Sequence, residues 1–169
     1  PSAADISRSA RCMAHFDLKQ REWNSDVGNF RKRGIDALTA ALKSISIKVP
    51  MPNPTVTSST SVLSIRHVSN ALLKFIGETG CGSHYDVFKP LSALAISLAS
   101  VSDQNVKYRV VLSMSQIGCK MSAEQKSSPA CKEVIDTLVG VLKHADDWCA
   151  TGIVDAIHSL DGCNELIQH

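Results

Sequence analysis

Apolar residues recur along this chain at helical spacing, most plainly in a stripe that occurs twice near its end. It reads Cys131, Ile135, Leu138, Val139 and Leu142, then Cys149, Ile153, Ala156, Ile157 and Leu160. Both copies run cysteine, +4, +7, +8, +11, which places every one of these side chains on one face of an α-helix, with the cysteine at the helix start and on the buried side. These two stripes predict helices from about Pro129 to His144 and from Asp147 to Leu160, with Pro129 suited to a first helical position and Asp146 or Asp147 able to accept from the free amides of the second.

The same period runs through the rest of the chain. Residues 3 to 23 read as a first helix with Ile6, Met13, Phe16 and Leu18 among its apolar contacts, and Asn24, Ser25, Asp26 and Gly28 offer a break. A second helix reaches about Ile45 on a face of Phe30, Ile35, Leu38, Ala41, Leu42 and Ile45, unless the two form one long bent helix. Residues 47 to 59 hold Pro50, Pro52 and Pro54 at alternate positions, which removes backbone donors and predicts an extended connector across the bundle. Ser61 to Glu78 gives a third helix through Val62, Ile65, Val68, Leu72, Leu73 and Ile76, stopped by Gly77, Gly80 and Gly82. A fourth runs from Tyr85 or Pro90 to Val101. Asp103 caps a fifth that reaches Ile117 and closes at Gly118, and Ser122 to Gln125 fits a short capped turn.

Helices with short links favour antiparallel neighbours, so the expected fold is all-α: one domain over residues 1–169, an antiparallel bundle of about six to seven helices. At 169 residues and 44% hydrophobic, the chain can bury a core, about 70% of its unfolded surface. It has only 2 Trp, 2 Tyr and 4 Phe, so that core must be built from small and branched aliphatics on closely packed helices.

Six cysteines, none in a C-x-x-C pair, lack the usual zinc and redox spacings and point instead to disulfides. In a helical hairpin, a cysteine before the first helix and one after the second reach the same end. That pairs Cys81 with Cys119 and Cys131 with Cys163, and leaves Cys12 for Cys149, one arrangement among the many that six cysteines allow. Three bridges would place the chain in an oxidising compartment, secreted or lumenal. The longest apolar run, Leu91 to Val101, is too short to span a bilayer, so the expectation is no transmembrane segment and, at most, a peripheral place on a membrane complex.

Charge is uneven although the net value is only +2. Residues 1–48 carry 9 Lys or Arg against 5 Asp or Glu, while residues 131–169 carry 2 against 7. Arg31, Lys32 and Arg33, with Lys19 and Arg21 before them and Trp23 and Phe30 nearby, form the candidate partner-binding surface, because Arg and aromatic groups together anchor interfaces. The competing reading is an exposed helix turn whose aromatics face the core. The small net charge and an oxidising compartment argue against nucleic acid.

Little else suggests chemistry. His144, Asp146, Asp147 and Cys149 fall within six residues but read better as helix caps and a disulfide partner than as zinc ligands. Cys12 and His15 could pair as thiolate and imidazole but read better as a cystine beside a surface histidine, and Asp155 with Asp161, or Asp17 with Glu22, could act as acid and base, yet both carboxylate pairs fall on predicted outer faces. No nucleophile elbow, HExxH, P-loop or dinucleotide glycine pattern occurs, so neither a catalytic role nor a cofactor is expected.

The stretch Trp148 to Leu160, WCATGIVDAIHSL, together with Ser2 to Ser7, SAADIS, resembles the alanine-rich helical repeats beginning CAADI of dinoflagellate proteins, in which a cysteine opens a helix and aliphatics follow at +4, +7 or +8, and +11. Cys149, Ile153, Ile157 and Leu160 match, as do Cys131, Ile135, Val139 and Leu142. At the first unit Ser2 stands where the repeat has cysteine, with Ile6, Ala10 and Met13 behind it. The resemblance implies an exported or lumenal protein and adds the thylakoid lumen to the compartments.

Two functions are consistent with this reading. The first is a non-enzymatic accessory protein docking on a larger protein assembly, in the dinoflagellate case a lumenal subunit of a photosynthetic complex. The second is a secreted carrier of a hydrophobic small molecule, with Ile96, Leu98, Leu112 and Met114 lining its cavity.

Overall fold

Helix starts in this chain are marked by side chains that accept from the first free amides. Asp103 accepts from the Val106 N–H at 3.0 Å, Ser128 from Cys131 at 3.2 Å and Asp146 from Cys149 at 2.9 Å. Ser122 and Gln125 bond each other's backbone in a reciprocal capping box. Each of these starts is where the sequence places it.

The computed structural model describes residues 2–14, 25–47, 59–77, 86–101 and 103–161. Among them it is all-helical, with eight helices: α1 (Ala3–Ala14), α2 (Ser25–Ile47), α3 (Ser59–Gly77), α4 (Phe88–Ser100), α5 (Gln104–Gly118), the single turn α6 (Ala123–Lys126), α7 (Pro129–Leu142) and α8 (Asp147–Asp161). Phe16, Leu18 and most of the proline-rich connector lie outside the described residues.

The helices pack in two layers. One holds α1, α3, α5 and α8 side by side in that order; the other holds α2, α4 and α7. Between layers, α2 packs on α3, α4 on α5 and α7 on α8. Sequence neighbours run antiparallel as expected: Gly34 early in α2 meets Phe75 late in α3, and Cys131 at the start of α7 meets Leu160 at the end of α8. Within a layer the direction differs. Ala3 and Ser7 of α1 meet Ser64 and His67 of α3, and Val111 and Ser115 of α5 meet Gly152 and Ser159 of α8, so the helices of each of these pairs are parallel. This alternation is that of stacked helical pairs, in which each unit touches mainly its neighbours. It also shows that α1 and α2 are separate helices running in opposite senses, not one bent rod.

The core is what the composition demands. Leu42, Ile65, Leu72, Leu91, Leu94, Met114, Ile117, Leu138 and Ile153 are fully buried around Phe75, the one aromatic among the fully buried side chains described. Ser69, Ser97, Ser113 and Ser159 are buried with them and donate to carbonyls three or four residues back, at 2.7–2.8 Å. A serine satisfied in this way acts as a small spacer and lets helices approach closely. The doubled stripe faces inward at Cys131, Leu138, Cys149, Ile153, Ala156 and Leu160, whereas Val139 is exposed and Val134 takes its place.

The disulfide tie is a correction. Cys12, Cys119, Cys131 and Cys149 are free thiols, and the expected Cys12–Cys149 bridge fails because α1 and α8 close opposite ends of one layer. The Cys131 thiol instead donates to the Leu160 carbonyl at 3.6 Å and Cys119 to the Ser159 hydroxyl at 3.7 Å. Cys81 and Cys163, their expected partners, lie outside the described residues. Burial pushes the thiols of Cys131 and Cys149 above their ordinary pKa, so both behave as small apolar core groups.

Close approach is sharpest where α5 meets α8. A Cβ on Gly118 would lie 3.0 Å from the backbone carbon and oxygen of Ser159. Gly118→Ala is expected to lower unfolding stability by about 1–3 kcal/mol through overpacking. Gly140 on α7 has nothing within 4 Å of such an atom, so Gly140→Ala should raise stability by about 0.5–1 kcal/mol. Urea denaturation of both variants checks the pair, and equal effects would contradict the close contact.

Candidate docking surface

The layer order sorts the charges. Helices α1, α2 and α3, which lie together at one end, carry eight Lys or Arg against three Asp. Helices α7 and α8 at the other end carry one Lys against five Asp or Glu, and neither packs on α1 or α2. An asymmetry along the chain has become an asymmetry in space.

At the basic end, Lys32 and Arg33 are exposed on α2, as expected for a contact surface. Arg31 belongs to the same helix, its side chain outside the described residues, as are Lys19, Arg21 and Trp23. The structure adds three arginines that the sequence reading passed over. Arg8 and Arg11 are exposed on α1, and Arg66 is half-buried on α3. Their signal was available, since each falls off the apolar face of its helix, but only the packing of α1 on α3 brings them to one end.

His67 reports the field there. Its Nδ1 is 2.6 Å from the Ser7 hydroxyl, locking α3 to α1. Burial, and then the charges of Arg11 and Arg66, hold its pKa below the ordinary histidine value. A neutral imidazole beside a hydroxyl resembles half of a nucleophilic dyad, but the two groups are explained as a hydrogen bond between packed helices.

The acidic end has a different centre. Tyr108 on α5 and Trp148 on α8, 47% and 55% exposed, face each other with ring centroids 5.2 Å apart and planes tilted by 31°. Trp148 borders a shallow open depression shared with Gln104, Asp146 and Asp147. The Gln104 amide donates to Asp146, and the Cys149 backbone N–H, ahead of Gln104 and Lys107, holds the Asp146 carboxyl below its usual range. Exposed aromatics ringed by carboxylates have the composition of an interface centre. In the sequence Trp148 enters only as the first residue of the stretch that resembles the CAADI repeats.

The remaining candidates do not assemble. Among the described residues no three His, Cys, Asp or Glu gather to hold a metal ion; Asp146 is a helix cap, Cys149 is buried, and His144 and Asp147 are exposed. Asp155 and Asp161 are exposed on α8, and His15, Asp17 and Glu22 lie outside the described residues. Of the four residues proposed to line a carrier cavity, Leu98 and Met114 are in the core, Leu112 is half-buried, and Ile96 is 47% exposed on the opposite side of α4 from Leu98. No helix among the described residues is long and apolar enough to cross a membrane. Comparison with protein-family models, curated proteins and solved structures finds no match to this chain.

The depressed His67 pKa has a definite sign. Between that value and about 6.5 the unfolded chain binds a proton that the folded chain lacks, so stability present above about pH 6.5 falls as the pH drops through the window. Urea midpoints from pH 7.5 down to 5.5 are expected to decline, and the decline to be shallower in His67→Gln. An unchanged slope in that variant would show that His67 is not held neutral.

Proposed function

We propose that this protein is a non-enzymatic docking or accessory component that binds an acidic surface of a larger protein assembly through its basic end. The observation that carries the reading is the separation of charge, with eight cationic side chains on the three helices of one end. Such a patch steers encounter and selects orientation, at a strength that falls as salt screens it. Lys32, Arg33, Arg8 and Arg11 are the exposed groups that would make the contact. A rigid, closely packed body behind them suits a protein whose work is to hold a position.

The compartment is a separate matter. With Cys12, Cys119, Cys131 and Cys149 free, an oxidising setting, and with it a lumenal place beside a photosynthetic complex, is supported by the resemblance of residues 148–160 to dinoflagellate repeats alone. Docking itself requires neither.

The test is stoichiometric co-purification of a partner from the native source at low salt, compared between the unaltered chain and Lys32→Glu/Arg33→Glu. Loss of at least about tenfold in affinity, equivalent to about 1.4 kcal/mol, is expected, with a similar loss for Arg8→Glu/Arg11→Glu. Undiminished binding by both variants would remove the basic end from the account.

A further inference from the structure

The acidic end is unexplained by docking through the basic one. It exposes Asp147, Trp148, Val154 and Asp155 on α8, the last helix of its layer, with Trp148 against Tyr108 of α5. The first helix of that same layer, α1, exposes Arg8 and Arg11. The two faces are opposite in charge and close in magnitude, eight cations less three anions against five anions less one cation.

We propose that the acidic end of one copy docks on the basic end of a second, so that the chain associates head to tail with itself. The inference rests on the basic end being a docking surface and names another occupant for it. Three observations converge on a second copy. Both complementary surfaces are on one molecule, at opposite ends of one layer. That layer is already built by laying parallel helices side by side, α1 on α3 and α5 on α8, so α1 of the next copy set along α8 continues a packing the fold uses. The exposed Tyr108–Trp148 pair is a ready acceptor for guanidinium groups, which stack on aromatic faces.

Such an interface joins two different patches. It therefore generates a ring if the rotation between copies closes and an open stack if it does not. Because the two ends complement each other in charge, the association is electrostatic in character, dependent on salt and on protein concentration.

The test is sedimentation velocity of the purified chain from micromolar to millimolar concentration, at about 10 mM and about 1 M salt, where the screening length is ~30 Å and ~3 Å. The mean mass is expected to rise with concentration at low salt and return to that of one chain at high salt. Two variants make the direction explicit: Arg8→Glu/Arg11→Glu removes most of the excess positive charge of the basic end, and Asp147→Lys/Asp155→Lys removes the net negative charge of the acidic end. Each alone should remain monomeric, and an equal mixture should associate again, a recovery that misfolded variants would not show. Trp148→Ala, with charge unchanged, should weaken association by about tenfold or more.

A chain that stays monomeric to millimolar concentration at low salt overturns the proposal, as does either charge variant associating alone or the mixture failing to associate. If the unaltered chain is monomeric yet Arg8→Glu/Arg11→Glu still abolishes capture of a foreign partner, self-association falls and docking stands. Loss of both would remove the shared premise.

Discussion

A core whose described residues include a single fully buried aromatic, Phe75, is filled by bringing helices close together, and the rest of this structure depends on how that is done. Glycine and serine occupy the crossings. Gly118 lies against the backbone of Ser159, Gly152 against Val111, and Gly34 against the ring of Phe75. Buried serines return their hydroxyls to their own helices and so cost little as spacers. Cys131 and Cys149 belong to the same economy of size. Each is a small, polarizable group at a helix contact, with its thiol kept protonated by burial.

Close crossings also dictate direction. The most extensive contacts lie between helices that are not chain neighbours, α1 with α3, α3 with α5 and α5 with α8, and where the register is visible those helices are parallel. A layer that grows in chain order keeps sequence position and spatial position in step. A charge gradient along the chain therefore becomes a dipole across the folded body, with α1, α2 and α3 at one pole and α7 and α8 at the other. Had the chain closed into a ring of helices, Arg8 and Arg11 would have faced Asp147 and Asp155 within one molecule, and the charges would have served stability. As folded, they are exposed at opposite ends of one layer and available to a partner.

Much of the local structure was legible in the sequence because its causes are local. Asp103, Ser122 with Gln125, and Ser128 with Pro129 mark helix starts within a few residues, and the stripe from Cys149 to Leu160 names most of the buried face of α8. The paired layers were not legible, because the choice between α1 packing on α2 and α1 packing on α3 is made by contacts such as Ser7 with His67, sixty residues apart. The cysteines misled for a related reason: an even number suggests bridges, whereas their place among small core residues becomes visible only with the packing. At the candidate site, Lys32 and Arg33 were identified from a run of charge, but Arg8, Arg11 and Arg66 are isolated in sequence and meet only in space. Tyr108 and Trp148 were missed because each breaks its own helix's apolar pattern, and their pairing spans two helices.

The distance between α1 and α8 tests this account most directly. Nitroxide labels at Cys12, which is exposed on α1, and at Asp155→Cys on α8, with Cys81, Cys119 and Cys163 replaced by Ser, can be measured by pulsed electron resonance in diluted, high-salt samples. Three helix-to-helix steps of 8–10 Å place them about 25–30 Å apart. A separation under about 15 Å would mean that the end helices pack on each other, and the two poles would not exist.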